Sequence, residues 1–318
     1  MVLEQFEIET MEGKEVKVFV IVVSYKGHRW YERCFTSLRE SNIPLKTIVI
    51  DNASNDGTVE YIKSHFPEIL LIESKENLGF GKANNLGMRY ALDDGCDYVF
   101  LLNQDAWIEP DTLERLLDIH SRHPEYGIVG PVQTNADKTK VLDGVIKFLI
   151  NPDNVNKALF SDLLMGTQKE IYPVAEINAA AWLLPRKTLE TVGGFDPLFL
   201  HYGEDWNYLS RVLYHGFKVG LTPGVHVVHD CKTRVESPQG YQSSFDKWLL
   251  QRATDLLYPD SHVSEMIHRY RNTSIVKFFS FKKKTMRENW EAYRFLVGKR
   301  KAIEYSRRIN KITGKNWL

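Results

Sequence analysis

The sequence predicts an α/β protein built on a mostly parallel central sheet with helices on both faces. The first observation is a series of short apolar runs at residues 18–23, 47–50, 69–72 and 97–102. Such runs are typical of strands that are buried on both faces of a sheet. The second observation is that helix-like segments separate these runs. Strand and helix alternate four times within about 110 residues, which indicates βαβ units with right-handed crossovers.

The helices are indicated by apolar spacing and by breaking residues. In the first helix, Trp30, Cys34, Phe35 and Leu38 recur at helical intervals. The next three helices are predicted to end before Pro67, at Gly95 and at about His123.

Beyond residue 132 the pattern is less regular. We interpret residues 134–172 as an insertion with a turn at 151–154. A strand at 177–184, a helix at about 204–215 and two short strands at 218–221 and 225–229 follow.

Charge divides the chain into three predicted parts. Residues 1–15 form an acidic tail, residues 16–235 the α/β body, and residues 236–318 a basic helical C-terminal region. Residues 261–318 contain 15 Lys/Arg and 4 Asp/Glu, a net charge of +11, so the remainder carries −11 because the whole chain is neutral. This asymmetry indicates a surface that meets an anionic partner.

Composition excludes several classes of protein. The three cysteines include no CxxC pair and no even set, so neither a zinc site nor a disulfide framework is expected. The N-terminus has no apolar core of a signal peptide, and the longest apolar run, Val16–Tyr25, is too short to span a bilayer. We therefore expect a cytoplasmic protein with free thiols.

Asp105 directly follows a buried strand. Ligands of open α/β sheets bind beyond the carboxyl ends of the strands, and Mg²⁺ or Mn²⁺ shared with a diphosphate needs only one or two protein carboxylates. Asp105 is therefore a candidate metal ligand, although acidic residues commonly end strands. His229 also ends a predicted strand and is a candidate second ligand. A structural role is the alternative for a lone histidine, and His226 is a competitor.

Other polar segments add weaker signals. Asp51 ends a strand and is able to accept a hydrogen bond from a pyrimidine ring, or to cap a helix. The Gly79-Phe-Gly81 loop suits a phosphate at a helix start, but Asn84 stands where a dinucleotide-binding motif needs a glycine. No phosphate loop of the GxxxxGK[ST] type exists in the sequence. The acidic pair Glu204-Asp205 opens a helix and offers either helix capping or a general base for a hydroxyl.

Five segments in this order carry a joint resemblance: 22–25, 51–58, 77–85, 102–105 and 193–211, with 223–229 as a sixth. The chain resembles family-2 glycosyltransferases of the GT-A fold, especially the branch with rhamnosyl- and galactofuranosyltransferases. The resemblance implies Asp205 as catalytic base and Glu204 as a residue that positions the acceptor. It implies metal ligation by Asp105 and His229. Contacts with the donor or acceptor are expected from Ser24, Tyr25, Asp51, Asn77, Gly79, Gly81, Asn84, Asn103, Asp105, Trp182 and Arg211.

Four positions depart from the family motifs, although asparagine at the first of them is frequent in this branch. Asn103 replaces the first acidic residue of the DxD-type motif, and Gln104 stands where proline is usual. Lys26 and Asn207 replace an asparagine and an aspartate. We expect metal coordination rich in water, because one carboxylate is missing.

The resemblance implies an inverting, Mg²⁺- or Mn²⁺-dependent transfer of a sugar from a nucleotide-sugar donor. dTDP-rhamnose is the first expectation, and UDP-galactofuranose or another UDP-hexose is the second. The acceptor is expected to be a hydroxyl of a glycan or of a polyprenyl-linked saccharide in cell-surface polysaccharide synthesis. A nucleotidyltransferase and a non-catalytic sugar-nucleotide-binding protein are the alternatives; the former should show a glycine-rich basic loop, of which residues 25–29 are a poor version.

The basic C-terminal region has two interpretations. It is either a solvated helical appendage used in homodimer contacts or a patch that meets an anionic membrane at its inner face. The second interpretation depends on Phe278–Phe281 beside Lys282–Lys284. No motif supports nucleic-acid binding.

Overall fold

The computed structural model describes residues 16–150, 157–200, 202–231 and 244–318. The tail 1–15, the turn expected at 151–154 and the domain boundary expected at 235 lie outside the described residues.

A nine-stranded mixed sheet forms the centre of the molecule. Its strands are β1 (Val18–Ser24), β2 (Lys46–Asp51), β3 (Leu70–Glu73), β4 (Tyr98–Asn103), β5 (Ala106–Ile108), β6 (Tyr126–Thr134), β7 (Tyr172–Pro173), β8 (Ala181–Pro185) and β9 (Lys218–His229). They are ordered β3-β2-β1-β4-β8-β6-β9-β5, and β7 pairs with β9. The predicted α/β class is confirmed.

Eleven helices are present in the described part of the chain. They are α1 (His28–Arg39), α2 (Thr58–His65), α3 (Gly79–Asp93), α4 (Thr112–Arg122), α5 (Asp143–Ile150), α6 (Lys157–Met165), α7 (Arg186–Val192), α8 (Glu204–Tyr214), α9 (Ser244–Thr254), α10 (His262–Phe279) and α11 (Lys283–Asn310). The expected insertion contains α5 and α6.

The direction of pairing changes in the middle of the sheet. β1, β2, β3 and β4 pair in parallel, as the βαβ pattern predicts. β8 is antiparallel to both β4 and β6, while β6 and β9 are again parallel. The prediction of two short strands at 218–221 and 225–229 was wrong. They are one strand, and the register with β6 shifts between Pro131 and Val132 where the sequence suggests a break.

Two hydrophobic cores fill the two faces of the sheet. On one face, α1, α2 and α4 contribute Phe35, Ile62 and Leu116. On the other face, α3 and α8 contribute Met88 and Leu209. Helices therefore cover both faces, which leaves the ends of the strands as the place for a site.

The C-terminal helices form a third core and attach to the rest of the fold. α9, α10 and α11 pack around Leu250, Met266 and Leu296, and Phe199 from the loop before α8 joins this core. No helix among the described residues is long and apolar enough to cross a membrane.

Candidate active site

The carboxyl ends of three adjacent strands bring the first group of predicted residues together. In the β1–β2 pair Ser24 lies opposite Asp51, and in the β1–β4 pair Val23 lies opposite Asn103. Parallel pairing places the ends of these strands at one edge of the sheet. Residues far apart in sequence therefore meet where the sequence predicts a ligand site.

Asp51 has a buried carboxylate with spare hydrogen-bonding capacity. It is 2% exposed, and its Oδ2 accepts a hydrogen bond from the Ser54 N–H at 3.0 Å. Its Oδ1 has no partner among the described residues. Burial raises the pKa of Asp51, against the effect of the Ser54 hydrogen bonds. A buried acceptor without a partner is costly, so this oxygen suits a ligand N–H.

Ser24 was expected to contact the donor or acceptor, and its hydroxyl makes a hydrogen bond within the protein. Its hydroxyl is buried and lies 2.6 Å from the Tyr31 hydroxyl, which also accepts the Gly27 N–H at 2.9 Å. Ser24 therefore shapes the loop after β1, while its neighbour Tyr25 is only half-buried at the edge.

The segment 77–85 includes the start of α3 and is hydrogen-bonded to the residue that directly follows β2. Asn52 accepts the Leu78 N–H at 2.7 Å and donates to the Gly79 carbonyl at 3.3 Å. Gly79 has a φ of 76°, a conformation that favours glycine, and its N–H donates to the exposed Asn77 side chain at 2.9 Å. Asn77 and Gly79 thus border the Asp51 edge.

Gly81 and Asn84 point away from that border. A Cβ on Gly81 would lie 3.0 Å from the Phe195 Cβ and 3.8 Å from the Glu204 Cβ, so Gly81 allows α3 to approach the acidic pair. Asn84, which was expected to contact the donor, is 1% exposed and donates to the Phe80 carbonyl in its own helix.

Asp105 and His229 form a pair, as the sequence suggests. The Asp105 Oδ1 lies 3.3 Å from the His229 Nε2. Antiparallel pairing of β5 with β9 places Ala106 opposite His229, and the Asp230 N–H donates to the Asp105 carbonyl at 2.8 Å. The competitor His226 is exposed at another position of β9.

A hydrogen bond at Nδ1, the ring nitrogen that does not face Asp105, also orients the His229 ring. Its Nδ1 lies 3.0 Å from the Gln133 Oε1, and its Nε2 lies 3.4 Å from the Asn103 Nδ2. Burial lowers the pKa of His229, but hydrogen bonds to Asp105 and Cys231 outweigh this effect and raise it to about 9. A divalent cation would compete with a proton for the His229 ring nitrogen, because only a neutral imidazole binds a metal.

The donor atoms at this pair fit Mg²⁺ or Mn²⁺. One carboxylate oxygen and one imidazole nitrogen face each other, and Gln133 supports the imidazole as outer partners of metal-bound histidines do. Three or more His, Cys, Asp or Glu side chains in a metal-binding group are not found within the described ranges. The remaining ligands would come from substrate oxygens and water.

Glu204 and Asp205 begin α8 after Gly203, whose φ is 98°. Glu204 is 6% exposed, and its Oε2 has no partner in the described part of the chain. Burial and the adjacent Asp205 raise the pKa of Glu204 to about 8. Burial also raises the pKa of Asp205, while the Trp206 N–H, which donates to Asp205 at 2.8 Å, opposes this effect. Such a pair is suited to proton transfer near neutral pH.

The segment 176–180 contacts residues that lie beside the Asp105–His229 pair and beside the Glu204–Asp205 pair. The Glu176 carboxylate accepts a hydrogen bond from the Trp206 indole N–H at 2.9 Å, beside Asp205. The Asn178 side chain accepts one from Gln133, the partner of His229. The Asp105–His229 pair and the Glu204–Asp205 pair are therefore connected through one short segment.

Two residues that were expected to contact a substrate are completely buried in this structure. Arg211 is completely buried, and its guanidinium donates to the carbonyls of Val192 and Gly194 at the end of α7. Trp182 is also completely buried and stacks on Phe195 at 6.3 Å. Both side chains support the core below the site. Motif position alone does not distinguish such residues from residues that contact a substrate.

Sequence reasoning missed three supporting residues. Gln133 is a buried polar residue within the fully buried strand β6, which was a signal for a functional partner. Asn178 gave no such signal. Gln104 was noted only as a departure from the family pattern, yet its side chain bonds the Tyr25 backbone.

Comparisons with known proteins identify the family of the sheet-forming part of the chain. Residues 19–176 match the model of the glycosyl transferase family 2. The N-acetylglucosaminyl-diphospho-decaprenol L-rhamnosyltransferase of Mycobacterium tuberculosis is 27% identical over 233 residues, 66% of this chain and 75% of that protein. The dTDP-rhamnosyl transferase RfbF of Shigella flexneri is 24% identical over 215 residues, 67% of this chain and 68% of that protein.

A solved structure shares the fold. The TarS 1-349 protein of S. aureus, crystallised with UDP-GlcNAc, aligns with a TM-score of 0.58 and 15% identity over 93% of this chain and 90% of that chain. The structural likeness shows a common GT-A fold. Residues 19–176 therefore form a glycosyltransferase family 2 domain, and the chain is a glycosyltransferase.

Proposed function

We propose that this enzyme transfers a hexose, with rhamnose the favoured sugar, from a dTDP- or UDP-linked donor to a hydroxyl group with inversion at the anomeric carbon. The observation that carries the proposal is the connection, through residues 176–180, of the Asp105–His229 pair to the Glu204–Asp205 pair. One pair suits the leaving diphosphate, and the other suits the attacking hydroxyl.

The identity of the donor's nucleobase is inferred from the side chain of Asp51. Its unpartnered Oδ1 is able to accept the ring N–H that uracil and thymine both carry. The similarity to a dTDP-rhamnosyl transferase supports dTDP-rhamnose as the first donor to test.

Asp105 and His229 would hold a divalent cation, Mg²⁺ or Mn²⁺, shared with the donor diphosphate. When bound, this ion would supply positive charge that stabilises the leaving nucleoside diphosphate. Gln133 orients the His229 ring, because its side-chain oxygen accepts a hydrogen bond from the His229 Nδ1–H.

Asp205 is proposed as the general base. The proton of the acceptor hydroxyl passes to its carboxylate, the acceptor oxygen bonds to the anomeric carbon, and the bond from that carbon to the diphosphate oxygen breaks. Burial and the adjacent Asp205 raise the pKa of Glu204, which favours its protonated form. It is therefore able to donate a hydrogen bond to the acceptor.

The acceptor is proposed to be a saccharide carried on a polyprenyl diphosphate, used in cell-surface polysaccharide synthesis. The supporting observation is the similarity to a rhamnosyltransferase named for N-acetylglucosaminyl-diphospho-decaprenol. The donor and the acceptor are tested separately, because one is a soluble nucleotide and the other a lipid.

Calorimetric titration of dTDP, UDP, GDP and ADP with Mn²⁺ present tests the donor proposal. We expect binding of dTDP or UDP, with Asp51→Ala losing the preference for these two over GDP. Asp105→Ala should bind the same nucleotide more weakly and without dependence on Mn²⁺. Equal binding of all four nucleotides by the unaltered enzyme would contradict the assignment of Asp51.

A further inference from the structure

The C-terminal region contains a helical hairpin whose tip is unlike the rest of the surface. α10 ends at Phe279 and α11 begins at Lys283, and the Ser274 hydroxyl donates to the Met286 carbonyl across the pair at 3.0 Å. Such a short connection makes the two helices antiparallel neighbours. We define the hairpin tip as residues 277–287.

Three phenylalanine side chains at the tip face solvent. Phe278, Phe279 and Phe281 are 63%, 73% and 88% exposed. The rings of Phe278 and Phe279 lie edge to face, with centroids 5.4 Å apart, and form one apolar cluster. Exposed aromatic clusters of this kind mark interaction sites, because phenylalanine otherwise gains its largest stabilisation when it is buried.

The backbone projects one of these rings at an energetic cost. The Lys282 N–H donates to the Lys277 carbonyl and the Phe281 N–H donates to the Phe278 carbonyl, at 3.1 and 3.2 Å. This is the Schellman arrangement that ends helices, in which the position of Phe281 is normally glycine. Phe281 has a φ of 58°, a left-handed conformation that is unfavourable for a residue with a side chain. The strained conformation leaves its ring 88% exposed.

Charge at the tip identifies the kind of partner. Residues 277–287 contain five cations and no Asp or Glu; the cations are Lys277, Lys282, Lys283, Lys284 and Arg287. A partner must therefore offer apolar depth and negative charge together. A second copy of this hairpin tip would bring five more cations and be repelled, whereas the interface of an anionic bilayer provides both properties.

The opposite end of the hairpin is fixed to the catalytic body. In α11, the Ser306 hydroxyl and the Asn310 amide donate to the Asp196 carboxylate, with Asn310 at 2.7 Å. The Arg307 guanidinium donates to carbonyls between α9 and α10, including that of Tyr258 at 2.7 Å. Residues 284 and 306 are about 33 Å apart along a helix, at 1.5 Å per residue. The tip is thus held at a set distance from the segment that precedes α8.

We propose that the hairpin tip docks on an anionic membrane surface. The three phenylalanine rings enter the interface between head groups and acyl chains, and the lysines contact the anionic head groups. Docking requires neither the transfer reaction nor a bound donor. Its test is therefore independent of the proposed function.

The test is co-sedimentation of the full-length protein with phosphatidylcholine vesicles that contain or lack phosphatidylglycerol. We expect binding only when phosphatidylglycerol is present, and release by salt. A triple variant, Lys282→Gln, Lys283→Gln and Lys284→Gln, should lower the partition coefficient by about a hundredfold, since each lysine contributes about 1 kcal/mol. The triple variant Phe278→Ser, Phe279→Ser and Phe281→Ser should lower it by at least about tenfold.

Matched controls separate docking from general surface changes. The control Leu163→Ser, Leu164→Ser and Met165→Ser alters exposed apolar side chains at the end of α6, where Leu164 and Met165 are 87% and 73% exposed. The control Lys299→Gln, Lys301→Gln and Lys315→Gln removes the same charge away from the tip. Both should bind anionic vesicles like the unaltered protein.

Three results would overturn the proposal. They are equal binding to neutral and anionic vesicles, unchanged binding of both tip variants, and equal loss of binding in the controls. Light scattering without vesicles tests the other candidate partner, which is a second copy of this protein. A concentration-dependent dimer that the phenylalanine variant abolishes, in a protein that does not bind vesicles, would assign the tip to self-association instead. Far-UV circular dichroism verifies that each variant is folded.

Discussion

The Gln104 side chain and the Tyr25 backbone are hydrogen-bonded in both directions. The Gln104 Oε1 accepts the Tyr25 N–H at 2.8 Å, and its Nε2 donates to the Tyr25 carbonyl at 3.0 Å. A side chain on Gly27 would overlap with the Gln104 amide, so this close approach requires glycine. The residue before Asp105 thereby fixes the loop after β1, which borders Asp51.

Gln104→Ala is expected to weaken binding of dTDP or UDP by about tenfold, because two hydrogen bonds of about 0.5–1.5 kcal/mol no longer order the loop. Isothermal titration with Mn²⁺ measures the effect. Asn42→Ala is the matched control, since this exposed amide donates to Glu114 away from the site. Equal affinities for the unaltered enzyme and Gln104→Ala would show that the loop is ordered without Gln104.

Asp205→Asn is expected to lower kcat by about 10²–10⁴, the usual contribution of a general base, with donor affinity unchanged. Glu204→Gln keeps a hydrogen-bond donor and should mainly change KM for the acceptor. Steady-state kinetics with a synthetic lipid-linked acceptor separates the two effects. A kcat of Asp205→Asn close to that of the unaltered enzyme would remove Asp205 from the proton transfer.

Glu204 is expected to contribute a decrease in the free energy of unfolding as pH rises from about 4.5 to about 8. Burial raises the pKa of Glu204 from 4.5 to about 8, so across this interval the folded protein keeps a proton that the unfolded chain has released. Stability decreases with pH wherever the folded state binds more protons. Urea denaturation at several pH values measures this slope. Glu204→Gln should have a smaller slope, and an equally steep one would assign the pH dependence to other groups.

Gly193→Ala is expected to destabilise the fold by more than about 2 kcal/mol, by adding steric overlap to backbone strain. Gly193 has a φ of 81°, and a Cβ there would overlap with the Asn316 carbonyl oxygen. Gly216→Ala is the control, because its φ is 83° but no atom lies within 4 Å of the added Cβ. Thermal unfolding should show a clearly larger loss for Gly193→Ala. Equal losses would mean that the C-terminal segment moves aside without cost.

The sequence by itself determined the parallel half of the sheet and the residues at its edge. Apolar runs with alternating helices define β1, β2 and β4, because local periodicity reports which segments are buried. Once these strands are parallel, their final residues must meet, so Ser24, Asp51 and Asn103 were predictable neighbours. The order of motifs also indicated that Asp105 and His229 form a pair.

Only the tertiary structure decided which polar groups at motif positions lie at the edge of the sheet and which support the core. Arg211 occupies a motif position, yet its guanidinium donates hydrogen bonds to the carbonyls of Val192 and Gly194. Gln104 and Gln133 act through partners that are 79 and 96 residues away in sequence. The continuous strand β9 and the attachment of α11 to Asp196 likewise depend on long-range pairing. Side-chain direction and long-range partners are properties of packing, which local sequence periodicity does not encode.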